Sequence, residues 1–545
     1  MNQKSQKRIS GLLVLVLVVL TPLLMSYLYN GVWESNEQYT TLFIQSTYLL
    51  CFPLMALFFI TRNALTLFFF GVGYFLVMLQ FFLLSMHWHL FKQPVNASTM
   101  FIVLESNLAE STEFMSIYFD GYIISQIALI LTLAFLGPWF VRSKSKAFKF
   151  PKVWIGVVLL AITLSGAALV FMHTKLSENS LISMATTGYA EYLEESSKYD
   201  EFGFHESLGQ FKPYDRQPID DKETYVIIIG ESTARSHMSL YDYYRDTNPK
   251  LRAIRNNLMV YSDVIAPHTH TIPSLTEILT PGDSEDAEKK FQGSIVQLFN
   301  AAGFKTYWFS NQRPVGIYEN LITKIAKASD QKVFINNARN SVQTPYDSVL
   351  VPLVERAVNE SDVQKKAIFV HLMGAHADYK YRYPPHYRKY SRPSKRINFP
   401  SDKATALTNQ YDEAIVYNDM VVRSIIDQVQ NSDGSSAVLY FSDHGEDVYE
   451  ARDCACHTEK VGTKPMFEVP FLLWRSEAFK SNKPIANNTA SPYMLDDLFH
   501  GMIDLAGLKY TGFDPTRSIF HESFTPRPRL IQNSIDFDTK FNTVP

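Results

Sequence analysis

The stretch Thr224-Tyr225-Val226-Ile227-Ile228-Ile229-Gly230-Glu231-Ser232-Thr233-Ala234-Arg235 decides the fold of the larger part of the chain. Its apolar run, residues 225–229, has the length and β-branched composition of a buried strand, and it ends in a glycine and a carboxylate. Apolar residues at helical spacing separate this run from several later ones. Those later strand-like runs are residues 259–262, 306–309, 367–372, 437–441 and 471–474. Short strands that alternate with helices predict an α/β domain with a mostly parallel sheet and helices on both faces.

Two helices and one helix start are predicted between these strands. Phe291, Ile295, Leu298 and Phe299 form one apolar stripe, and a long stripe covers residues 404–429. Ser491-Pro492 has the form of an N-cap followed by proline at the first helical position, and therefore predicts a helix start.

Polar side chains follow the predicted strands at the positions where such folds bind ligands. In a parallel sheet, ligands bind beyond the carboxyl ends of the strands. The carboxylates, imidazoles and hydroxyls found there are Glu231, Thr269, Thr271, His371, His376, Asp443, His444 and, a little further on, His457.

These residue types predict a metal-activated threonine that moves a phospho-group. Glu231, Asp443 and His444 are ligands of the kind that zinc or manganese prefers. A threonine hydroxyl is a poor nucleophile at neutral pH, and a dication lowers its pKa and fixes its position. Further imidazoles can bind a second metal or neutralise phosphoryl oxygens. Each motif alone also occurs as an ordinary strand end or turn, so the prediction depends on their combination.

The first part of the chain has the composition of a membrane domain. Five uncharged apolar runs precede residue 175, at about 11–29, 41–61, 64–85, 121–141 and 153–172. Each has about 20 residues, enough for a helix to cross a hydrocarbon core of ~30 Å. A signal peptide would explain only the first run. We therefore expect a transmembrane domain with five helices over residues 1–173.

Charged residues in the loops predict the orientation of that domain. Basic residues precede the first run and lie between the second and third and between the fourth and fifth, whereas the alternate loops are mostly acidic. The positive-inside rule then places the N-terminus in the cytoplasm and everything after Met172 outside it.

Residues 174–222 are polar and predict an irregular bridging linker, and residues 223–545 form the predicted catalytic domain. The exported part holds Cys454 and Cys456. A disulfide between residues two apart is strained, so free thiols or auxiliary groups beside the site are alternatives. The chain has 51 basic and 54 acidic residues, which argues against a nucleic-acid partner.

Several motifs resemble those of a known family. The soluble half resembles the alkaline phosphatase and sulfatase superfamily, and the whole chain resembles its membrane-anchored phosphoethanolamine transferases. The motifs are Ile229-Gly230-Glu231-Ser232-Thr233-Ala234-Arg235, Tyr241-Asp242-Tyr243-Tyr244-Arg245-Asp246-Thr247-Asn248-Pro249, His371-Leu372-Met373-Gly374-Ala375-His376 and Asp443-His444-Gly445-Glu446.

The resemblance implies roles for individual residues. It implies that Glu231, Asp443, His444 and a nucleophilic threonine hold the first zinc ion. Thr271, forty residues after Glu231, fits that threonine best, and Thr269 is the rival. The resemblance also implies that His376 and His457 contact the phosphoryl group or a second zinc ion.

Two residues outside the catalytic domain belong to the same resemblance. Asn107 and Glu110, in the segment Glu105-Ser106-Asn107-Leu108-Ala109-Glu110, are expected to help seat the substrate. This segment lies in the predicted extracytoplasmic loop between the third and fourth membrane runs.

The resemblance implies a reaction as well. Thr271 attacks phosphatidylethanolamine, releases diacylglycerol and passes phosphoethanolamine to an acceptor, and the chain is expected to act as a monomer. The loop Thr271-Ile272-Pro273-Ser274-Leu275 and the few cysteines resemble the branch that modifies core heptose phosphate or periplasmic glucans more than the lipid A branch.

Other functions are less compatible with the sequence. Ser391-Arg392-Pro393-Ser394-Lys395 ends in lysine and therefore lacks the arginine of a sulfatase formylglycine motif. A phosphoglycerol transferase or phosphodiesterase with the same metal site stays open. A transporter is disfavoured because none of the five apolar runs contains Asp, Glu, Lys or Arg. A sensor is disfavoured because the predicted cytoplasmic loops are too short for an output module.

Overall fold

The computed structural model describes residues 63–91, 119, 121–144, 181–314, 321–336, 344–459 and 462–541. These residues fall into two compact units, one ending at Tyr192 and one beginning at Leu193, and each is described separately.

The first unit contains two long apolar helices, α1 (Ala64–Phe91) and α2 (Gly121–Lys144). They pack against each other, and the rings of His89 and Tyr122 stack 4.1 Å apart. The two helices coincide with the third and fourth predicted membrane runs, whereas the other three runs lie outside the described residues. Over the described ranges, no helix is both long enough and apolar enough to cross a membrane.

The remaining elements lie in the second unit, except that the first half of helix α3 belongs to the first unit. The helices are α3 (Leu181–Glu201), α4 (Pro249–Arg252), α5 (Thr271–Leu279), α6 (Ile295–Ala301), α7 (Leu321–Lys327), α8 (Val351–Val358), α9 (Asp402–Gln430), α10 (Lys464–Phe467), α11 (Glu477–Asn482), α12 (Leu498–Ala506) and α13 (Phe537–Phe541). The strands are β1 (Glu223–Gly230), β2 (Leu258–Val260), β3 (Val264–Ile265), β4 (Lys305–Ser310), β5 (Gln331–Phe334), β6 (Lys365–His371), β7 (Ser435–Ser442), β8 (Asp447–Val448), β9 (Ala455–Cys456), β10 (Phe471–Arg475), β11 (Tyr493–Met494), β12 (Leu530–Ile531) and β13 (Ile535–Asp536).

The main sheet has seven strands in the order β2-β10-β7-β1-β6-β4-β5. All neighbours from β7 to β5 pair in parallel, and β10 pairs antiparallel with both β7 and β2. The prediction of an α/β domain with a mostly parallel sheet is confirmed, and so are all six predicted strands.

Strand β1 lies at the centre of the sheet and is buried along its whole length. Tyr225, Ile227 and Ile229 join the hydrophobic core on one face, and Val226 and Ile228 join the core on the other face. This alternation explains the unbroken apolar run, because a central parallel strand has no solvent-facing side.

The register of the central strands brings three carboxyl ends together. Ile229 of β1 pairs with His371 of β6, and Gly230 of β1 pairs with Ser442 of β7. The residues that follow these strands, Glu231 and Asp443 among them, are therefore neighbours.

Two local predictions are wrong. The stretch 174–222 is not irregular throughout, because α3 occupies residues 181–201 and Tyr199 packs into the core 5.1 Å from the ring of Phe291. No helix begins at Ser491-Pro492. Instead, Tyr493–Met494 pairs in parallel with Val264–Ile265, and α12 begins only at Leu498.

Cys454 and Cys456 are joined in a disulfide. Of the alternatives left open by the sequence, the structure selects this one, and both cysteines are buried beside Met466.

Candidate functional site

The candidate metal centre is formed by Glu231, Asp443 and His444, which follow the adjacent strands β1 and β7. One ligand atom of each residue lies within 4.8 Å of those of the other two, and all three side chains are buried. His444 Nε2 lies 3.3 Å from Glu231 Oε1 and 3.5 Å from Asp443 Oδ2. The structure therefore brings together three of the residues that the sequence predicted as metal ligands.

Thr271 is the hydroxyl that reaches this centre. Its Oγ1 donates a hydrogen bond to Glu231 Oε2 at 3.1 Å, and it is the first residue of α5. Thr269, the rival, instead places its Oγ1 3.4 Å from His270 Nδ1. Because the partial positive charge of a helix N-terminus stabilises nearby negative charge, the position of Thr271 favours its deprotonated form.

The orientation of His444 leaves one ring nitrogen available. Its Nδ1 lies 2.8 Å from the carbonyl oxygen of Gly445, to which it donates in the tautomer that leaves Nε2 without a proton. Metal-binding histidines commonly donate their second nitrogen in this way. Among the described residues, His444 Nε2 and Asp443 Oδ2 are buried without a hydrogen-bond partner.

The charges at the centre shift one another's pKa values. Burial raises the pKa of the Glu231 carboxyl, but the adjacent imidazole of His444 outweighs burial and holds this pKa well below its ordinary value. Burial and the negative charge of Glu231 raise the pKa of Asp443 to about 8. Burial lowers the pKa of His444, yet Asp443 and Glu231 together raise it to about 10.

These observations fit a divalent metal ion. Two carboxylates and one imidazole face a common point, and two of their buried ligand atoms lack other partners. Carboxylate oxygen and imidazole nitrogen are ligands that zinc accepts, and Thr271 would complete a set of four.

Neighbouring backbone holds Glu231 in place. Ser232 lies in the left-handed region with φ of 53°, and Tyr411 fixes this turn by donating to Ser232 O at 2.7 Å and accepting from Ala234 N at 2.8 Å. Gly374 approaches so closely that a Cβ there would lie 2.6 Å from the backbone oxygen of Glu231. The Gly374 amide is held in turn by Asp347, whose Oδ2 accepts it at 2.8 Å.

A second polar group lies beside the centre and contains His457. Its Nδ1 lies 2.7 Å from Glu446 Oε2, and its ring lies 4.4 Å from that of His444. His444, Glu446 and His457 form a second group of potential metal ligands.

His376 is also near the centre. Burial lowers its pKa to about 4, against the opposing charge of Glu231, so its imidazole is neutral at pH 7. Its Nδ1 is buried and has no hydrogen-bond partner among the described residues. Asn107 and Glu110 lie outside the described residues.

The loop before Thr271 is fixed by His268. Its Nε2 lies 3.1 Å from Glu277 Oε1 on α5, and its Nδ1 lies 3.5 Å from Glu459 Oε1. Glu459 also accepts the backbone N–H of Thr269 at 3.0 Å. Burial lowers the pKa of His268, and the two carboxylates raise it to about 10. His268 therefore joins α5 to the segment that carries His457.

Three contacts to the centre were missed at the sequence level. Gln312 Nε2 donates to Glu231 Oε2 at 3.3 Å, Ser232 Oγ donates to Glu231 Oε1 at 2.6 Å, and Ser274 Oγ donates to the backbone oxygen of Asp443 at 2.5 Å. The signal for Gln312 was available, because this residue follows β4 at the same edge of the sheet as Glu231.

Comparison with known proteins identifies the family of this chain. The sulfatase family matches residues 223–508. The phosphoethanolamine transferase CptA of Salmonella typhimurium is 33% identical over 485 residues, which cover 83% of each chain. The crystal structure of the C-terminal periplasmic domain of EptC from Escherichia coli, in complex with Zn, is 33% identical, covers 58% of this chain and 93% of that one, and has a TM-score of 0.56.

A full-length structure shares the fold over a longer stretch. The integral membrane protein lipooligosaccharide phosphoethanolamine transferase A of Neisseria meningitidis is 18% identical, covers 89% of this chain and 98% of that one, and has a TM-score of 0.61. From the family match and the identity to CptA it follows that the chain belongs to the sulfatase family, in the branch of the phosphoethanolamine transferases.

Proposed function

We propose that the chain is a metal-dependent enzyme that transfers phosphoethanolamine from phosphatidylethanolamine to an acceptor on lipopolysaccharide, at core heptose phosphate or lipid A, or to a periplasmic glucan. The observation that carries this proposal is the hydroxyl of Thr271, 3.1 Å from the carboxylate of Glu231 within the candidate metal centre. The relatives named above are phosphoethanolamine transferases, and one was crystallised with zinc.

In this proposal Glu231, Thr271, Asp443 and His444 hold zinc, or manganese in its place. The ion supplies positive charge that favours the deprotonated form of the threonine and offsets negative charge at phosphorus. Thr271 is the nucleophile, because its hydroxyl contacts Glu231, whereas the hydroxyl of Thr269 contacts His270 and, among the described residues, has no hydrogen bond to Glu231 or Asp443.

The reaction proceeds in two displacements. The bond from Thr271 Oγ1 to phosphorus forms as the bond from phosphorus to the diacylglycerol oxygen breaks, and diacylglycerol leaves with a proton. An oxygen of the acceptor then attacks the phosphoethanolamine-threonine, loses its own proton and restores the free hydroxyl. A covalent intermediate of this kind divides one difficult step into two easier ones.

His376 and His457 bind the phosphoryl oxygens in this scheme. His376 is neutral at pH 7, so a ring N–H can donate a hydrogen bond without the cost of burying a charge. Glu446 accepts from Tyr379 at 2.9 Å and fixes the ring of His457 from its other oxygen. We also propose that Asn107 and Glu110 bind substrate.

We assign residues 1–173 to a transmembrane domain of five helices, 174–222 to a bridge and 223–545 to the periplasmic catalytic domain, in a bacterial inner-membrane protein with its N-terminus in the cytoplasm. The five apolar runs and the charges of their loops support this arrangement. The Neisseria meningitidis relative is an integral membrane protein, and its likeness covers 89% of this chain. A donor that is itself a lipid explains why the catalytic domain would be tethered to a membrane.

The test uses the purified full chain with zinc, lipopolysaccharide and phosphatidylethanolamine. Transfer predicts release of diacylglycerol and an acceptor whose mass rises by one phosphoethanolamine group. A parallel reaction contains phosphatidylglycerol as the donor. If only phosphatidylglycerol is consumed, the chain is a phosphoglycerol transferase, and if neither lipid is consumed the proposal fails.

A further inference from the structure

Residues 379–396, which come directly after the loop that carries His376, form a strongly basic segment. This stretch contains seven Lys or Arg residues, five Tyr residues and no Asp or Glu, although the whole chain has 51 basic and 54 acidic residues. A segment of this composition attracts anions, because no carboxylate within it offsets its positive charge.

Some of these side chains belong to the fold. Arg382 is buried, and its Nε donates to the backbone oxygen of His376 at 3.0 Å. Tyr383 donates to Glu413 at 2.6 Å, and Arg396 lies 3.0 Å from Glu450. These contacts fix the segment on the domain and connect its beginning to the loop that carries His376.

Three other cations have no such role. Lys389, Arg392 and Lys395 are exposed, and in the described part of the chain none of them pairs with a carboxylate. Lys389 Nζ donates to the backbone oxygen of Asp246 at 2.8 Å, which leaves its charge unneutralised. The Asp246 carboxylate itself lies 2.8 Å from Arg252.

An aromatic ring is fixed among these cations. Tyr244 is 47% exposed, its hydroxyl donates to Ser394 Oγ at 3.2 Å, and it accepts the backbone N–H of Lys395 at 3.0 Å. Lys395 Nζ lies 5.2 Å from the centre of the Tyr244 ring. The Tyr244 side chain is therefore held in place and partly exposed, with the cations of Lys395 and Arg245 near its ring.

Arg245 contacts both the Tyr244 ring and residues 379–396. Its Nη2 donates to the backbone oxygen of Arg392 at 2.6 Å, and its guanidinium lies 4.6 Å from the ring of Tyr390. Buried Asp412, 2.6 Å from Arg245 Nη1, anchors the arrangement in the domain. We call Tyr244, Lys389, Arg392 and Lys395 together the basic surface.

We propose that the basic surface binds a phosphorylated saccharide, namely the part of the acceptor that lies beyond the reacting oxygen. Lysine and arginine are the usual partners of phosphate. A tyrosine ring that is held in place and partly exposed offers apolar surface against which a sugar ring can pack. A fluid membrane surface needs no such fixed ring, so the rigidity of Tyr244 favours a ligand with defined geometry.

This inference rests on the proposed transfer of phosphoethanolamine and narrows its acceptor. A neutral glucan has no anionic group to pair with the three cations, whereas a phosphorylated lipopolysaccharide core has several phosphate groups. The surface therefore contributes to acceptor affinity, and the attack of Thr271 on the donor lipid does not depend on it.

The test compares the full chain with the triple variant K389Q/R392Q/K395Q and with the control K212Q/K480Q/K509Q, which removes three exposed or half-exposed lysines elsewhere. The ligand is a delipidated, phosphorylated core oligosaccharide, used with and without prior phosphatase treatment. Its Kd is measured by calorimetry beside its KM in the transfer reaction, because phosphatase also removes a phosphate that could accept the group. We expect the first variant to raise the KM for the phosphorylated oligosaccharide about tenfold and to weaken the dependence of that KM on salt. We expect the control variant to change neither.

The donor half-reaction separates failure of this inference from failure of the proposed function. Diacylglycerol release without acceptor should occur at the same rate in all three proteins, and its absence from the unsubstituted chain would contradict the proposed function itself. An unchanged KM, or an equal loss of affinity for the phosphatase-treated oligosaccharide in the binding measurement, would contradict the assigned ligand. A defect that occurs with intact lipopolysaccharide in anionic vesicles but not with the delipidated oligosaccharide would also contradict it, and would show that the surface binds the membrane instead.

Discussion

Two buried clusters of the catalytic domain contain the same kinds of side chain but differ in their balance of charge. Each places a histidine between two carboxylates. In the cluster on α9, His237 Nδ1 lies 2.6 Å from Asp412 and Nε2 lies 2.8 Å from Glu450, and Arg245 supplies a further cation to Asp412. We call this group the α9 cluster.

In the candidate metal centre, by contrast, no lysine or arginine of the described part pairs with Glu231 or Asp443. Asp443 Oδ2 lacks a hydrogen-bond partner among the described residues, whereas both carboxylate oxygens of Asp412 are hydrogen-bonded. Glu231 and Asp443 have one imidazole between them, and burial together with the charge of Glu231 raises the pKa of Asp443 to about 8. The α9 cluster has Arg245 beside Asp412 and Arg396 beside Glu450, whereas in the metal centre a divalent cation from solution would offset both carboxylates. Charge balance therefore distinguishes a structural cluster from a ligand site better than residue type does.

The largest expected effect comes from Asp443→Asn. The amide keeps the oxygen that accepts from Ser232 and His444 but removes one charge that a metal ion requires. We expect transfer to fall by about a thousandfold or more and zinc content to fall with it. Metal-free unfolding of the fragment that begins at Leu193 should show no loss of stability, because the substitution relieves repulsion from Glu231. A large loss of metal-free stability would contradict this account.

Asp412→Asn, in the α9 cluster, should lower stability and leave zinc binding unchanged. It leaves Arg245 and His237 buried without their shared carboxylate, and breaking a buried pair in this way costs about 3–5 kcal/mol. We expect urea unfolding to show that loss, while zinc per folded molecule stays at the level of the unsubstituted protein. Loss of zinc from the folded variant would remove the distinction between the two clusters.

The α9 cluster should also make stability depend on pH. Burial lowers the pKa of His237, but Asp412 and Glu450 raise it to about 9 from its ordinary 6.5. A raised pKa in the folded state stabilises the protein fully below pH 6.5, and this contribution is lost as pH rises through 9. Relative to His237→Asn, the unfolding free energy should therefore fall by ~3 kcal/mol between pH 6 and 10. Parallel curves for the two proteins would show that His237 is not the group responsible.

Substitution of Gly374, with Gly303 as its control, tests the geometry around Glu231, and the expected loss of activity is smaller than for Asp443→Asn. Gly374 and Gly303 both have positive φ, but a Cβ at Gly303 would meet nothing within 4 Å. Gly303→Ala should cost ~1 kcal/mol of stability and leave activity unchanged. Gly374→Ala should in addition displace Glu231 and lower transfer by about ten- to a hundredfold, as measured by diacylglycerol release. Equal activity in the two variants would mean that Gly374 does not position Glu231.

Much of the fold was predictable because local pattern and burial agree. The run 225–229 is apolar without interruption since both of its faces are covered, and the long helix at 404–429 matches α9 closely. The convergence of Glu231 and Asp443 followed from the rule that ligands bind at strand ends. Strand β5 was missed because its four residues include two that are exposed and two that are polar.

The remaining features depend on contacts distant in sequence. The antiparallel direction of β10 and the pairing of Tyr493–Met494 with Val264–Ile265 are set by tertiary packing, which local propensity does not report. The family resemblance already favoured Thr271 over Thr269, but the hydrogen bond from Thr271 Oγ1 to Glu231 depends on where α5 begins, and the sequence does not report that contact.

Peptide mass spectrometry of the chain, after incubation with zinc and phosphatidylethanolamine in the absence of acceptor, would locate the covalent intermediate. The account predicts one phosphoethanolamine group, located on Thr271, which disappears in Thr271→Ala and is retained in Thr269→Ala. A phosphoethanolamine group on Thr269, or one that persists in Thr271→Ala, would contradict the assignment of Thr271 as the nucleophile.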